Sequence, residues 1–303
     1  SSSNGTDAAA PSDAIASDNT SGVSPRVMAA LHDANAIGAA PSYGADTVTA
    51  RAERLMAREL GDGTRVNFVF GGTGANCVAL ASLCDVPYAA VLCADSSHMF
   101  VHETGAPERV AGVKLLPVKA NSGTGKLRVD DVAAHVVAHQ GSFHSAQPKV
   151  LSITQATEMG TCYSRDEIAA LTDYAHTNGL LVHVDGARIA NAAVALRCSL
   201  KSLLTDSGVD VVSFGGTKNG LMYGEAVVWL GTNTNAAVAA AADRCVYVRK
   251  QSTQLPCKTR FVAAQYAALF ERGEGDDGSA EIDVDAELAT TTTSSSSSSS
   301  SSS

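Results

Sequence analysis

The sequence predicts an α/β protein with a mostly parallel central sheet sandwiched by helices. Three observations predict it. Short continuous apolar runs recur at 66–70, 89–93, 149–154, 180–185, 210–214 and 226–230. Stretches of helical period alternate with them, with no internal repeat. The polar and glycine-rich residues gather just after the apolar runs end. Runs that are apolar throughout are strands buried on both faces, and alternation with helices gives a parallel sheet covered on both sides.

Each element has its own warrant. Residues 25–34 and 45–60 read as helices, and the second places Val48, Ala52, Leu55 and Met56 on one face. The strand at 66–70 runs into a glycine-rich turn and a helix at 75–84. A strand at 89–93, a helix at 130–139 and a strand at 149–154 follow. Residues 164–177 form the best-marked helix. Ser164 and Glu167 make an S-x-x-E capping box at its start, and Gly179 ends it. The runs 180–185, 210–214 and 226–230 complete the strands. The folding unit expected is 15–270. Residues 1–14 read as a disordered leader. Residues 271–303 read as a disordered tail, acidic first and then four Thr and ten Ser, too poor in apolar side chains to offset the entropy of ordering.

Charge excludes some functions. The 303 residues carry 31 acids and 22 bases, but eight acids and one base lie in 271–287, so the body is nearly neutral. A broad basic footprint for nucleic acid is therefore absent. No stretch approaches the roughly 20 apolar residues that span a bilayer. The seven cysteines are scattered, odd in number and without CxxC spacing, which speaks against a metal cluster or a disulfide framework and for a reducing, cytoplasmic setting.

Four constellations follow strand ends, where open α/β sheets bind ligands. Gly71-Gly72-Thr73-Gly74-Ala75-Asn76 comes directly after the first strand. It is an anion cradle opening on free helix amides, or an ordinary strand-to-helix turn. Asp185 ends an otherwise apolar strand in His183-Val184-Asp185-Gly186-Ala187-Arg188. A carboxylate there is costly unless paired, so it either caps the next turn or holds a proton on a ligand's ring nitrogen. Lys218 sits in Gly215-Gly216-Thr217-Lys218-Asn219-Gly220, 33 residues later, enough for one helix and one strand back to the same sheet edge. Such a lysine forms a Schiff base with an aldehyde, or is a solvated loop residue. His98 follows the strand at 89–93. It is a surface histidine or, in this company, a ring that stacks on a flat cofactor, while His102, His135, His139, His176 and His183 read as structural. Together the parts describe a phosphorylated aromatic aldehyde with a protonated ring nitrogen, which is pyridoxal 5′-phosphate.

These segments, with Ser17-Asp18-Asn19-Thr20-Ser21-Gly22, Pro41-Ser42-Tyr43-Gly44-Ala45-Asp46 and His102-Glu103-Thr104-Gly105-Ala106-Pro107-Glu108, give a sequence that resembles the threonine aldolase and β-eliminating lyase family over roughly 15–270. The resemblance implies the large domain of the aspartate-aminotransferase-like fold. It implies Lys218 as the Schiff-base lysine, Asp185 as the pyridine-nitrogen partner, Gly72 and Thr73 as the phosphate turn, and His98 stacked over the ring. Arg188 lies beside Asp185 near ring and substrate, and Ser17 contacts the substrate carboxylate. Tyr43 lines the site across a dimer interface, and Arg260 reaches a partner's phosphate in a homodimer or homotetramer. His144 corresponds to a histidine near the substrate hydroxyl, so His98 and His144 are alternative bases.

The implied reaction is an aldolase cleavage of a β-hydroxy-α-amino acid, in the simplest case threonine to glycine and acetaldehyde. β-Elimination, transamination and a cofactor-binding homologue without turnover are the alternatives. The resemblance stops near Phe270, so the family's small C-terminal domain and its carboxylate-binding arginine are expected to be missing.

Overall fold

The computed structural model describes residues 17–271. The expected leader, and the expected tail apart from Glu271, lie outside the described residues. In chain order the elements are α1 (Pro25–Ala36), α2 (Thr47–Leu60), β1 (Arg65–Val69), α3 (Gly72–Leu83), β2 (Ala89–Ala94), α4 (His98–Val101) and β3 (Lys114–Val118). They continue with α5 (Val129–His139), β4 (Gln147–Thr154), α6 (Arg165–Thr177), β5 (Leu181–Gly186), α7 (Ile189–Leu196), α8 (Leu200–Leu203) and β6 (Val211–Phe214). The last are β7 (Glu225–Trp229), α9 (Ala236–Gln251) and α10 (Thr259–Phe270).

The seven strands form one sheet in the order β1-β7-β6-β5-β4-β2-β3. All are parallel except β7, which runs against both of its neighbours. β1 and β6 therefore point the same way with one reversed strand between them. Every expected strand is present. β3 is an addition at the sheet's edge, where Pro117 withholds no hydrogen bond that an inner strand would need.

Period two divides the core. On one face Leu151, Ile153, Val182, Val184, Val212 and Phe214 pack against α2, α6 and α10. On the other face Val150, Val211 and Val227 pack against α3 and α9. The buried face of α2 is Thr49, Ala52, Met56 and Leu60, with Val48 and Leu55 half-buried beside it. Asp46 caps this helix, its Oδ1 accepting the Thr49 N–H at 2.8 Å. The capping box of α6 forms in both directions, Glu167 N–H to Ser164 Oγ at 3.1 Å and Ser164 N–H to Glu167 Oε2 at 2.7 Å; such a cap contributes about 1 kcal/mol. With the parallel strands in register, their carboxyl ends and the start of β7 share one edge.

Candidate active site

Two confluent cavities of about 280 and 80 Å³ open at that edge, both lined by Gly72, Thr73, His98, Asp185, Ala187 and Lys218. Each residue is delivered by a strand end. β1 leads into α3, whose first residues are Gly72 and Thr73, and the cap residue Gly71 offers no side chain to the free amides. A Cβ on Gly71 or Gly72 would meet nothing of the chain within 4 Å. The protein's own packing therefore does not demand these glycines; they leave open space beside the helix amides.

Asp185 lies at the buried floor. Its Oδ1 accepts the Ala187 N–H and its Oδ2 accepts Asn76 Nδ2–H, both at 3.1 Å. Beneath it runs a polar stripe on the α3 side of the sheet. His183 is fully buried between Ser152 Oγ, 2.8 Å from Nδ1, and Ser213 Oγ, 2.9 Å from Nε2. Burial pushes its pKa from 6.5 down to about 4, against the opposing pull of Asp185. A base depressed in the folded state loses stability for the protein as pH falls through that window, because the unfolded chain takes up the proton first. Between pH 7 and pH 5 the wild type is therefore expected to lose more thermal stability than His183→Gln. Melting curves at the two pH values check this, and equal slopes would refute it.

Lys218 sits on the short turn Thr217–Asn219 after β6. The two glycines before it are required by close approach. A Cβ on Gly215 would collide with the Ala187 carbonyl, and one on Gly216 with the Gly224 carbonyl and the Tyr266 hydroxyl. The Asp185 and Lys218 loops are thus pressed together. Glu225, the first residue of the reversed strand, holds this turn by accepting the Gly216 N–H at 2.5 Å, and burial pushes its carboxyl up.

His98 starts α4. Its backbone N–H donates to Glu158 Oε1 at 2.7 Å and its Nδ1 lies 3.1 Å from Glu103 Oε1. Arg188 makes a two-pronged pair with Asp18, Nε to Oδ2 at 2.6 Å and Nη2 to Oδ1 at 3.0 Å. Burial alone would raise the Asp18 carboxyl, but the guanidinium, with Lys218 nearby, holds it below its ordinary value. Ser17 does not line the cavities. Its Oγ accepts the Asn19 N–H at 3.2 Å and so fixes the turn whose Asn19 does line the larger one.

Three further expected residues are not brought there. His144 lies in an exposed turn just before β4, and the strand then runs eight residues before its carboxyl end reaches the site. At about 3.3 Å per residue that is roughly 26 Å. His144 therefore lies towards the opposite edge of the sheet and does not line the cavities of its own chain. Tyr43 and Arg260 are also outside the cavities, but close to each other. The Tyr43 N–H donates to the Cys257 carbonyl at 2.9 Å, while Arg260 Nη2 donates to the Gly38 carbonyl at 3.0 Å. Arg260 is buried and its Nε finds no partner among the described residues.

Sequence reasoning gave no role to Asn76, Glu103, Glu158, Glu225 or Asp18. The available signal was a polar residue interrupting an apolar run, as Asn76 does in α3 and Glu225 does at the head of β7. Among the described residues no group of three or more His, Cys, Asp or Glu could hold a metal ion, and no helix is long and apolar enough to cross a membrane.

A mostly parallel sheet with a lysine turn and a carboxylate at its carboxyl edge defines the aspartate-aminotransferase-like fold. An aromatic aminotransferase from Pyrococcus horikoshii matches at a TM-score of 0.60 over 84% of this chain and 65% of its own, at 14% identity, which speaks to fold alone. The threonine aldolase of Leishmania major matches at a TM-score of 0.76, with 29% identity over 84% of this chain and 71% of that one. A low specificity L-threonine aldolase of a Pseudomonas species is 40% identical over 261 residues, 86% of this chain and 72% of that protein. The β-eliminating lyase family model matches residues 14–274. The chain belongs to the β-eliminating lyase family. Within it the chain is a threonine-aldolase-like lyase, and the family generally depends on pyridoxal phosphate.

Proposed function

We propose that this protein binds pyridoxal 5′-phosphate in the cavity and cleaves a β-hydroxy-α-amino acid between Cα and Cβ, with threonine giving glycine and acetaldehyde. The observation that carries this is the convergence of Lys218, Asp185, His98 and the uncapped start of α3 on one cavity. The residues fit the cofactor. The open space at Gly71 and Gly72 beside free amides suits a phosphate. The buried Asp185 carboxylate suits a protonated ring nitrogen, whose charge would compensate its burial. Lys218 Nζ is the amine that would hold the aldehyde carbon, and the cofactor when bound supplies the electron sink for the breaking bond.

The chain's own residues do the rest. Arg188 and the turn capped by Ser17 receive the substrate carboxylate, Arg188 through the guanidinium edge that its pair with Asp18 leaves free. His98, exposed to the cavity on one side, takes the proton of the β-hydroxyl as the Cα–Cβ bond breaks. With His144 at the far edge, the two alternatives for the base reduce to His98. Tyr43, exposed, and Arg260, buried near it, lie outside their own cavity and in this reading serve a second copy in a homodimer or homotetramer; exposed Phe70, Phe100, Val101 and Tyr247 supply apolar surface for such a contact. The free cysteines fit a reducing, cytoplasmic setting.

One purified sample tests the function. The cofactor should give an absorbance band near ~420 nm that borohydride removes, as a lysine-bound aldehyde does, and threonine should yield equal amounts of glycine and acetaldehyde. Ammonia and a keto acid instead would assign β-elimination, and a keto acid without free ammonia would assign transamination. The absorbance with no product from any β-hydroxy amino acid would leave a binding protein without turnover.

A further inference from the structure

His98 is held by a buried relay, and the relay assigns a residue that the motifs leave without a role. Glu103 has a side chain only 1% exposed, whereas His98 is 46% exposed beside it. A carboxylate so deeply placed is costly unless its oxygens are matched. Two groups match it, both at Oε1: Asn76 Nδ2–H at 2.9 Å and His98 Nδ1 at 3.1 Å. Oε2 has no partner among the described residues. The same Asn76 nitrogen gives its other hydrogen to Asp185 Oδ2 at 3.1 Å. One amide group thus bridges the carboxylate under the imidazole and the carboxylate on the cavity floor. The backbone of His98 is fixed separately, by Glu158 Oε1, which Thr154 Oγ1 holds at 3.0 Å. The ring is therefore anchored at its main chain and at one nitrogen, and the other nitrogen is left for the cavity.

We propose that Glu103 is the positioning residue of His98: it accepts the Nδ1–H, which leaves Nε2 with a free lone pair on the cavity side, while Asn76 locks Glu103 to Asp185. The proton on a neutral imidazole resides on the nitrogen whose hydrogen bond requires a donor. An acceptor-only carboxylate at Nδ1 fixes that choice, and the ring needs no reorientation before it takes a proton. Burial, with the neighbouring Asp185, pushes the Glu103 carboxyl above its ordinary value, and Asn76 and His98 oppose that shift in part. This assignment rests on the reading of His98 as the group that accepts the substrate's proton.

Histidine-selective 15N labelling of the full chain tests it, with His98→Asn assigning the signal. The wild type should show Nδ1 protonated and Nε2 bare at neutral pH. Glu103→Leu, similar in size and without an acceptor, should lose that pattern, whereas Glu103→Gln, which keeps an acceptor oxygen, should retain it. In turnover, Glu103→Leu should lower kcat roughly 10–100-fold with little change in KM, and Glu103→Gln should recover most of the loss. If the leucine variant does not fold, Glu103→Met makes the same comparison. A wild-type ring protonated at Nε2, or an unchanged pattern in a folded variant without the acceptor, would overturn the assignment. The spectrum is read without cofactor or substrate, so a protein that fails to bind pyridoxal phosphate but shows the Glu103-dependent pattern would refute the functional reading and leave the positioning role standing.

Discussion

Lys218→Ala is expected to abolish turnover, by at least about 10⁴-fold, the scale seen when the attacking group of a covalent mechanism is removed. The structure makes this a clean loss. Lys218 stands on a three-residue turn fixed by neighbours other than its own side chain: the Glu225 carboxylate on the Gly216 N–H, and the Asn219 amide on the Gly215 carbonyl at 2.8 Å. Truncating the side chain leaves those contacts in place. The variant should fold, melt near the wild type, and retain cofactor loosely through the start of α3 and Asp185. Borohydride treatment and peptide mapping of the wild type should label Lys218. Label on another lysine, or a folded Lys218→Ala protein that still turns over, would reject the assignment.

Asp185→Asn is expected to lower kcat by about 10²–10³-fold, the scale for losing one preorganised electrostatic group, while cofactor content changes little. The two shapes match but their hydrogen bonding does not. Oδ1 accepts from the Ala187 N–H, which cannot reverse, and Oδ2 accepts from the Asn76 amide, which could turn over only by giving up its bond to Glu103. An asparagine must turn its own NH₂ towards one of them, so one bond is lost and the negative charge with it. A ring nitrogen above such a residue no longer holds its proton, and the bound cofactor is a weaker electron sink. The comparison requires kcat at saturating cofactor beside the absorbance of the bound form; near-normal kcat would exclude the role. The loss should exceed that of Glu103→Leu, since under the proposed function Asp185 faces the cofactor while Glu103 acts through His98.

Much of the fold was legible because burial on both faces writes a strand as an unbroken apolar run. The runs expected at 66–70, 89–93, 149–154, 180–185 and 210–214 are strands in the structure, with ends shifted by a residue or so, and the Ser164 box starts its helix one residue on. Strand direction was not legible. The run at 226–230 looks like the others, yet β7 is reversed, because a central strand is buried in the same way whichever way it points. β3 escaped notice because Lys114 and Pro117 interrupt its short apolar stretch, which only an edge position tolerates. The site was legible where residues follow a strand, as with Lys218, Asp185 and Gly72, since the parallel order brings those ends together. His144 shows the converse: it precedes its strand, and the same order sends it to the opposite edge. Asn76 and Glu103 were beyond reach for another reason. Their pairing spans 27 positions and depends on how α3 faces the turn after α4, which spacing alone does not encode.

The reversed strand also sets a timetable for synthesis. β1 has one strand neighbour, β7, and Val69 pairs with Glu225, 156 positions later. When the glycine turn leaves the ribosome, the strand that will anchor it has not been made. At about 5–20 residues per second the wait is roughly 8–30 s, with the apolar residues of β1 lacking their native partner. Contacts this distant in sequence slow folding. A truncated nascent chain ending before Glu225 would carry the sequence of the glycine turn without the sheet that holds it, so under the proposed function cofactor capture should begin only after β7 has emerged, late in translation.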